Sequence, residues 1–236
     1  MTEQQSSYRQ IMKATSIFGG VQVFNVVISI IRSKIIAVLL GPAGMGIAGL
    51  FTSTTHLINS LTSMGLRSSA VRNIAAATSS EDPKKVGTVV SVFRRLVWLT
   101  GILGTLVTLI LAPWLSEITF GNREYTLGFI WISITLLITQ VKDGQLALLQ
   151  GMRRLQYLAK ANLAGTTSSL IISIPLYYFF RLEGIVPAII VASVATLIFS
   201  WIFASKIEIE KPKVSKTDFF TEGGDMLRMG ILLSLS

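Results

Sequence analysis

Arg32 is the side chain whose type and position point most directly to chemistry. It lies within SIFGGVQVFNVVISIIRSKIIAVLL, Ser16 to Leu40, and six apolar residues follow before the Gly41-Pro42 stop. A cation inside a membrane helix costs at least about 2.5 kcal/mol, so it requires a partner or a water-filled cavity. Its guanidinium can grip an oxyanion through two parallel hydrogen bonds. Gln22, Asn25, Ser29 and Arg32 recur at steps of three, four and three, which places them along one stripe of a helix. Such a stripe cannot face lipid and must face other helices or a cavity. Lys34 lies about 200° around the helix from Arg32, so the two cannot both face one cavity squarely. Snorkelling of either cation to the interface is the competing use.

Further polar groups fall in other apolar runs. Thr52, Thr55, His56, Asn59 and Ser63 share a helical face. His56 is the single histidine and could titrate near neutral pH or serve as a hydrogen-bonded packing residue. Lys142 and Asp143 sit within a span; as adjacent residues they are expected to pair with other helices rather than with each other. Asp143 could hold a proton or Na+ for coupled transport, or form a structural ion pair. Asn162 shares a face with Thr166, Ser169 and Ser173. The amides Gln22, Asn25, Asn59 and Asn162 could bind sugar hydroxyls or join helices to one another. Arg94 and Arg95 could attract an anionic lipid at a cytoplasmic entrance.

These residues must be positioned by membrane helices. Of 236 residues, 51% are hydrophobic and 14% charged, against about a quarter charged in soluble domains. Mean hydropathy is +0.63. The net charge of +9 resides in short basic clusters between apolar runs, with no nucleic-acid-binding motif beside them, so nucleic acid is not an expected partner. Cysteine is absent, which removes disulfide and thiol chemistry. The expected organisation is a polar segment 1–13, a six-helix transmembrane bundle 14–204, a basic cytoplasmic linker 205–222 and a seventh apolar run from 223 that stops too early to span. The expected spans are 14–40, 45–66, 96–114, 127–150, 155–180 with a kink at Pro175, and 185–204. Asp82 before Pro83 reads as a helix start. With the N-terminus inside, 16 of the 21 Lys and Arg residues fall on the cytoplasmic side, which satisfies the positive-inside rule. These basic residues also suit contacts with membrane lipid headgroups.

Several short segments carry a family likeness. Leu40-Gly41-Pro42-Ala43-Gly44-Met45-Gly46, the Ser/Thr-rich span ending Met64-Gly65-Leu66, Phe120-Gly121-Asn122, Leu149-Gln150-Gly151-Met152-Arg153 and the Tyr177 to Gly184 region resemble bacterial polysaccharide flippases of the Wzx type. These belong to the multidrug/oligosaccharidyl-lipid/polysaccharide flippase superfamily, and the likeness is strongest to translocases of O-antigen or enterobacterial common antigen units. The resemblance implies an all-α, MATE-like alternating-access transporter in the bacterial inner membrane. This chain would supply the N-terminal bundle and the start of the second. It implies as cargo an undecaprenyl-pyrophosphate-linked oligosaccharide, moved from the cytoplasmic to the periplasmic leaflet, with Arg32 available to the pyrophosphate. Polysaccharide polymerase and chain-length regulator proteins are implied partners, and no cofactor is expected beyond a coupling H+ or Na+.

Three other functions compete. A multidrug exporter of the same architecture would favour acidic and aromatic linings, whereas these spans carry mainly basic and hydroxyl groups. A membrane-embedded transferase needs clustered carboxylates for a divalent metal. Here Glu81-Asp82 abuts Pro83 and Asp143 is solitary in its span, so no catalytic residue or metal ligand is expected. A non-transporting assembly subunit is the third.

Overall fold

The computed structural model describes residues 3–80, 82–210 and 215–235, and side chains within 19–80, 82–210, 215 and 219–233. Met1, Thr2, Glu81, Ser236 and residues 211–214 of the expected linker lie outside the described residues. Every element is helical: α1 (Glu3–Ser63), α2 (Leu66–Ser79), α3 (Pro83–Phe120), α4 (Thr126–Gly151), α5 (Leu155–Phe180), a single 3-10 turn (Arg181–Gly184), α6 (Ile185–Ala204) and α7 (Lys216–Leu235). No strand occurs among the described residues.

Four continuous stretches are long and apolar enough to cross a membrane: Gly19–Ser63, Pro83–Phe120, Thr126–Gly151 and Leu155–Ala204. The first and last, 45 and 50 residues long, far exceed the roughly 20 residues that one crossing takes. Both are bent. At Gly41 the backbone takes φ 69° and ψ −172°, a region open essentially to glycine alone, and Pro42 follows without an N–H to continue the ladder. The break separates two arms of α1 that fold back around one apolar cluster, with Ile35, Ile36 and Leu39 on one arm and Ala48, Phe51 and Ile58 on the other. Arg181 Nη1 donates to the Leu39 carbonyl at 2.9 Å, supplying a partner near the break. In the last stretch the 3-10 turn folds α6 back along α5.

Apolar packing concentrates at the two ends of the bundle. One cluster joins Leu66, Ile74, Phe93, Leu148, Leu158 and Met226. The other joins Phe51, Phe129, Ile132, Tyr177 and Ile185. Phe51 makes edge or tilted ring contacts with Phe120, Tyr125 and Phe129. Between the clusters α3, α4, α5 and α6 all turn polar inward: Thr100 on α3, Gln140 on α4, Ser169 on α5 and Ser193 on α6. Gln140 Nε2 donates to Thr100 Oγ1 at 2.9 Å inside this waist. Buried amides and hydroxyls without water must bond to one another, and here they join neighbouring helices.

Several expected boundaries shift. The second arm of α1 ends at Ser63, three residues before the expected end at 66, and Gly65, at φ 63°, separates it from α2. α3 runs to Phe120, beyond the expected span end at 114, so only residues 121–125 connect it to α4. Asp82 caps α3 as expected, its side chain accepting from the backbone N–H of Lys84 and Lys85 at 2.9 and 3.4 Å. α5 passes Pro175 without a break in the helix. The expected count of six spans plus the start of a seventh is not reproduced as such. α7 begins at Lys216, inside the expected linker, and is not among the apolar crossing stretches. Its charged residues Glu222, Asp225 and Arg228 interrupt the apolar run, and it packs on α2 and α3. A Cβ on Gly65 or on Gly230 would collide with the backbone of the other segment, so the two glycines permit this close approach.

Candidate translocation cavity

A cavity of about 300 Å³ opens at the polar waist, lined by both arms of α1 and by α4, α5 and α6. Arg32 enters it from the first arm. Nine residues separate Arg32 from Gly41, which at 1.5 Å per residue sets it about 13 Å inside the bend. Its Nη2 donates to Ser169 Oγ of α5 at 2.6 Å, while its Nε is buried and has no partner among the described residues. The rest of the lining is dominated by hydroxyls: Thr52 and Thr55 from α1, Thr135 and Thr139 from α4, Thr166, Ser169, Ser173 and Tyr177 from α5, Ser193 and Thr196 from α6. Most of these hydroxyls donate back to the carbonyl three or four residues earlier, as Ser173 does to Ser169 O at 2.6 Å. Their remaining lone pairs are free to accept. Among the described residues no carboxylate lines this cavity, and Lys142 adds a second cation beside Arg32.

His56 and Asn59 line this cavity and also a second one of about 250 Å³, which reaches Arg67, Gln140 and Asp143. The two spaces therefore adjoin through one turn of α1. Asp143 Oδ1 accepts from Lys142 Nζ at 3.1 Å and from Arg67 Nη1 at 3.5 Å. The expectation of pairing with other helices is met for Asp143, which takes Arg67 of α2, and is corrected for Lys142, which pairs with its neighbour. The long lysine stem curls back to its neighbour, and only Arg67 reaches across from α2.

The expected site residues divide. Arg32, His56, Asn59 and Lys142 meet at the first cavity, with Asp143 at its neighbour. Gln22 and Ser29 are exposed and Asn25 is half-buried, its Oδ1 unpartnered, so the stripe brings only Arg32 into the cavity. Lys34 is exposed on the opposite face and lines no cavity, as its offset from Arg32 dictates. Asn162 donates to Leu158 O of its own helix at 3.1 Å and stays outside the lining. Arg94 and Arg95 lie on α3 away from this cavity. The sequence reading passed over Thr135, Thr139, Ser193 and Thr196; hydroxyls spaced three or four apart in otherwise apolar helices were the available signal.

A helical membrane bundle with broken spans and a polar, cation-bearing cavity at its waist has the architecture of a transporter. A crystal structure of MATE in the bent conformation has this fold: the TM-score is 0.71 at 19% identity, covering 94% of this chain and 50% of that one. The chain thus spans about half the length of that structure. Residues 11–236 match the family model described as polysaccharide biosynthesis protein. The chain belongs to that family, within the polysaccharide flippase superfamily. No curated protein matches it in sequence.

Proposed function

We propose that the full-length protein translocates lipid-linked oligosaccharide units, carried on a polyprenyl pyrophosphate, across the bacterial inner membrane for surface polysaccharide assembly. The observation that carries this reading is Arg32: a mid-span guanidinium with a buried, unpartnered Nε, facing a cavity without carboxylates. A pyrophosphate supplies oxyanions for that guanidinium and for Lys142, replacing the lost hydration of both. The surrounding hydroxyls suit sugar hydroxyls, which donate and accept alike. A cationic drug would meet Arg32 here and no free acid, since Asp143 is taken by Lys142 and Arg67, which counts against drug efflux, the second transporter reading. Cargo enters from the cytoplasmic leaflet, with the N-terminus inside as the distribution of Lys and Arg supports. A proton or Na+ could couple to the movement through Asp143, where it would compete with Lys142 and Arg67. Polymerase and chain-length regulator proteins are the partners of such a step.

The test is the full-length gene in a host lacking its own surface-polysaccharide flippase, scored both for surface polysaccharide and for drug resistance. Restored polysaccharide with unchanged drug resistance is expected. Raised resistance without polysaccharide, across hosts with several repeat types, would overturn the reading in favour of efflux.

A further inference from the structure

A groove of about 450 Å³ opens on the outside of the bundle, away from the Arg32 cavity, where α3, α4 and the end of α6 meet the segment 205–209. Its floor is apolar, including Val90, Val97, Val141 and Leu148. Trp98 and Trp201, 48% and 49% exposed, both line it. Indole rings of this kind favour the level of lipid headgroups. The end of the bundle agrees, since Ala204 closes α6 here and the polar segment follows at once.

Among the described residues the groove is lined by one cation, Arg94, and one carboxylate, Glu208, both exposed. Among the described residues the ion pairs are Arg67–Asp143, Lys142–Asp143 and Arg123–Glu117, and none joins these two. Neighbouring Arg95 instead lies over the Phe219 ring, 5.9 Å from its centroid. The lining thus offers an exposed cation and an exposed carboxylate, unbridged among the described residues, over an apolar floor.

We infer that the groove binds the headgroup of an ammonium-bearing zwitterionic phospholipid of the phosphatidylethanolamine type. Arg94 donates to the phosphodiester oxygens and Glu208 accepts from the primary ammonium, while the acyl chains lie along the apolar floor between the two tryptophans. A purely anionic lipid would satisfy Arg94 but be repelled by Glu208. A choline headgroup would offer no N–H to the carboxylate. The site is distinct from the cargo cavity and does not depend on what passes through it.

Native mass spectrometry of the purified full-length protein, with phosphatidylethanolamine, phosphatidylglycerol or phosphatidylcholine added, tests this. Retention of phosphatidylethanolamine should exceed that of the other two about tenfold, and Arg94→Gln or Glu208→Gln should each lower it about tenfold, the value of one charge-assisted contact. Glu208→Lys should invert the preference toward phosphatidylglycerol, a gain that a merely misfolded variant would not show. Wild-type preference for phosphatidylglycerol, unchanged retention in Arg94→Gln, or displacement of the bound lipid by one equivalent of undecaprenyl pyrophosphate would each overturn the assignment.

Discussion

Arg32 Nη2 and Ser169 Oγ stand 2.6 Å apart, 137 residues distant in sequence, and their bond ties the first arm of α1 to the middle of α5. Ser169 is buried and its own hydroxyl donates to Thr166 O at 2.9 Å, so its oxygen is fixed as the acceptor for the guanidinium. Ser169→Ala removes that anchor and leaves the charge in place. Transport should fall several-fold rather than vanish, corresponding to roughly 1–2 kcal/mol for a hydrogen bond to a charged group. Measured transport equal to wild type would show that the bond does not position Arg32.

Asp143 is shared by Lys142 and Arg67, yet the three side chains keep partial solvent access, with Asp143 19% exposed. Screening therefore holds the energy of the pairs down. A double-mutant cycle on Asp143→Asn and Lys142→Gln should give a coupling of about 1 kcal/mol or less in thermal or denaturant stability. The single Asp143→Asn should also weaken any dependence of transport on the proton or Na+ gradient. Intact gradient dependence in that variant would remove Asp143 from the coupling role.

Gln140 and Thr100 form a buried link between α3 and α4. Thr100→Val removes the acceptor and leaves the Gln140 amide unsatisfied, which costs about 1–3 kcal/mol. Gln140→Leu in the Thr100→Val background removes both partners and should recover much of that loss. Melting of the two variants side by side checks the order.

Gly41 takes a backbone conformation closed to residues with a Cβ. Gly41→Ala should lower stability by about 1–3 kcal/mol and disturb the return of the second arm. Pro42→Ala should be milder, because the bend rests on the glycine torsions. Accessibility labelling at engineered cysteines on either side of the bend, combined with melting, separates the two variants.

Much of this architecture was legible from apolar run length and punctuation. The bounds of α5 and α6 follow from Arg153-Arg154 and Gly184, and the start of α3 from Asp82-Pro83. Arg32 stood out because a cation well inside a long apolar run, on its polar stripe, has few physical justifications. What stayed hidden depends on tertiary neighbours. Nothing local tells that Asn162 bonds its own helix while Thr166, four residues on, lines the cavity. The three-residue spacing of Ser193 and Thr196 marks a shared face, but which elements that face meets is set by packing against α4 and α5. The expected span end at 66 falls beside the break at Gly65, but composition does not separate that arm from α2, which continues its helical character. Only the left-handed torsion there, and the close approach of Gly230, mark the boundary.

The central claim is that the charge of Arg32 handles an anionic cargo in the cavity. Its most direct test is full-length Arg32→Ala and Arg32→Lys in a flippase-deficient host, with Lys34→Ala as the lipid-facing control and membrane levels matched by immunoblot. The prediction is that Arg32→Ala abolishes surface polysaccharide, Arg32→Lys retains part of it through the preserved charge, and Lys34→Ala is near wild type. Full display by Arg32→Ala would contradict the account and leave Arg32 a structural residue.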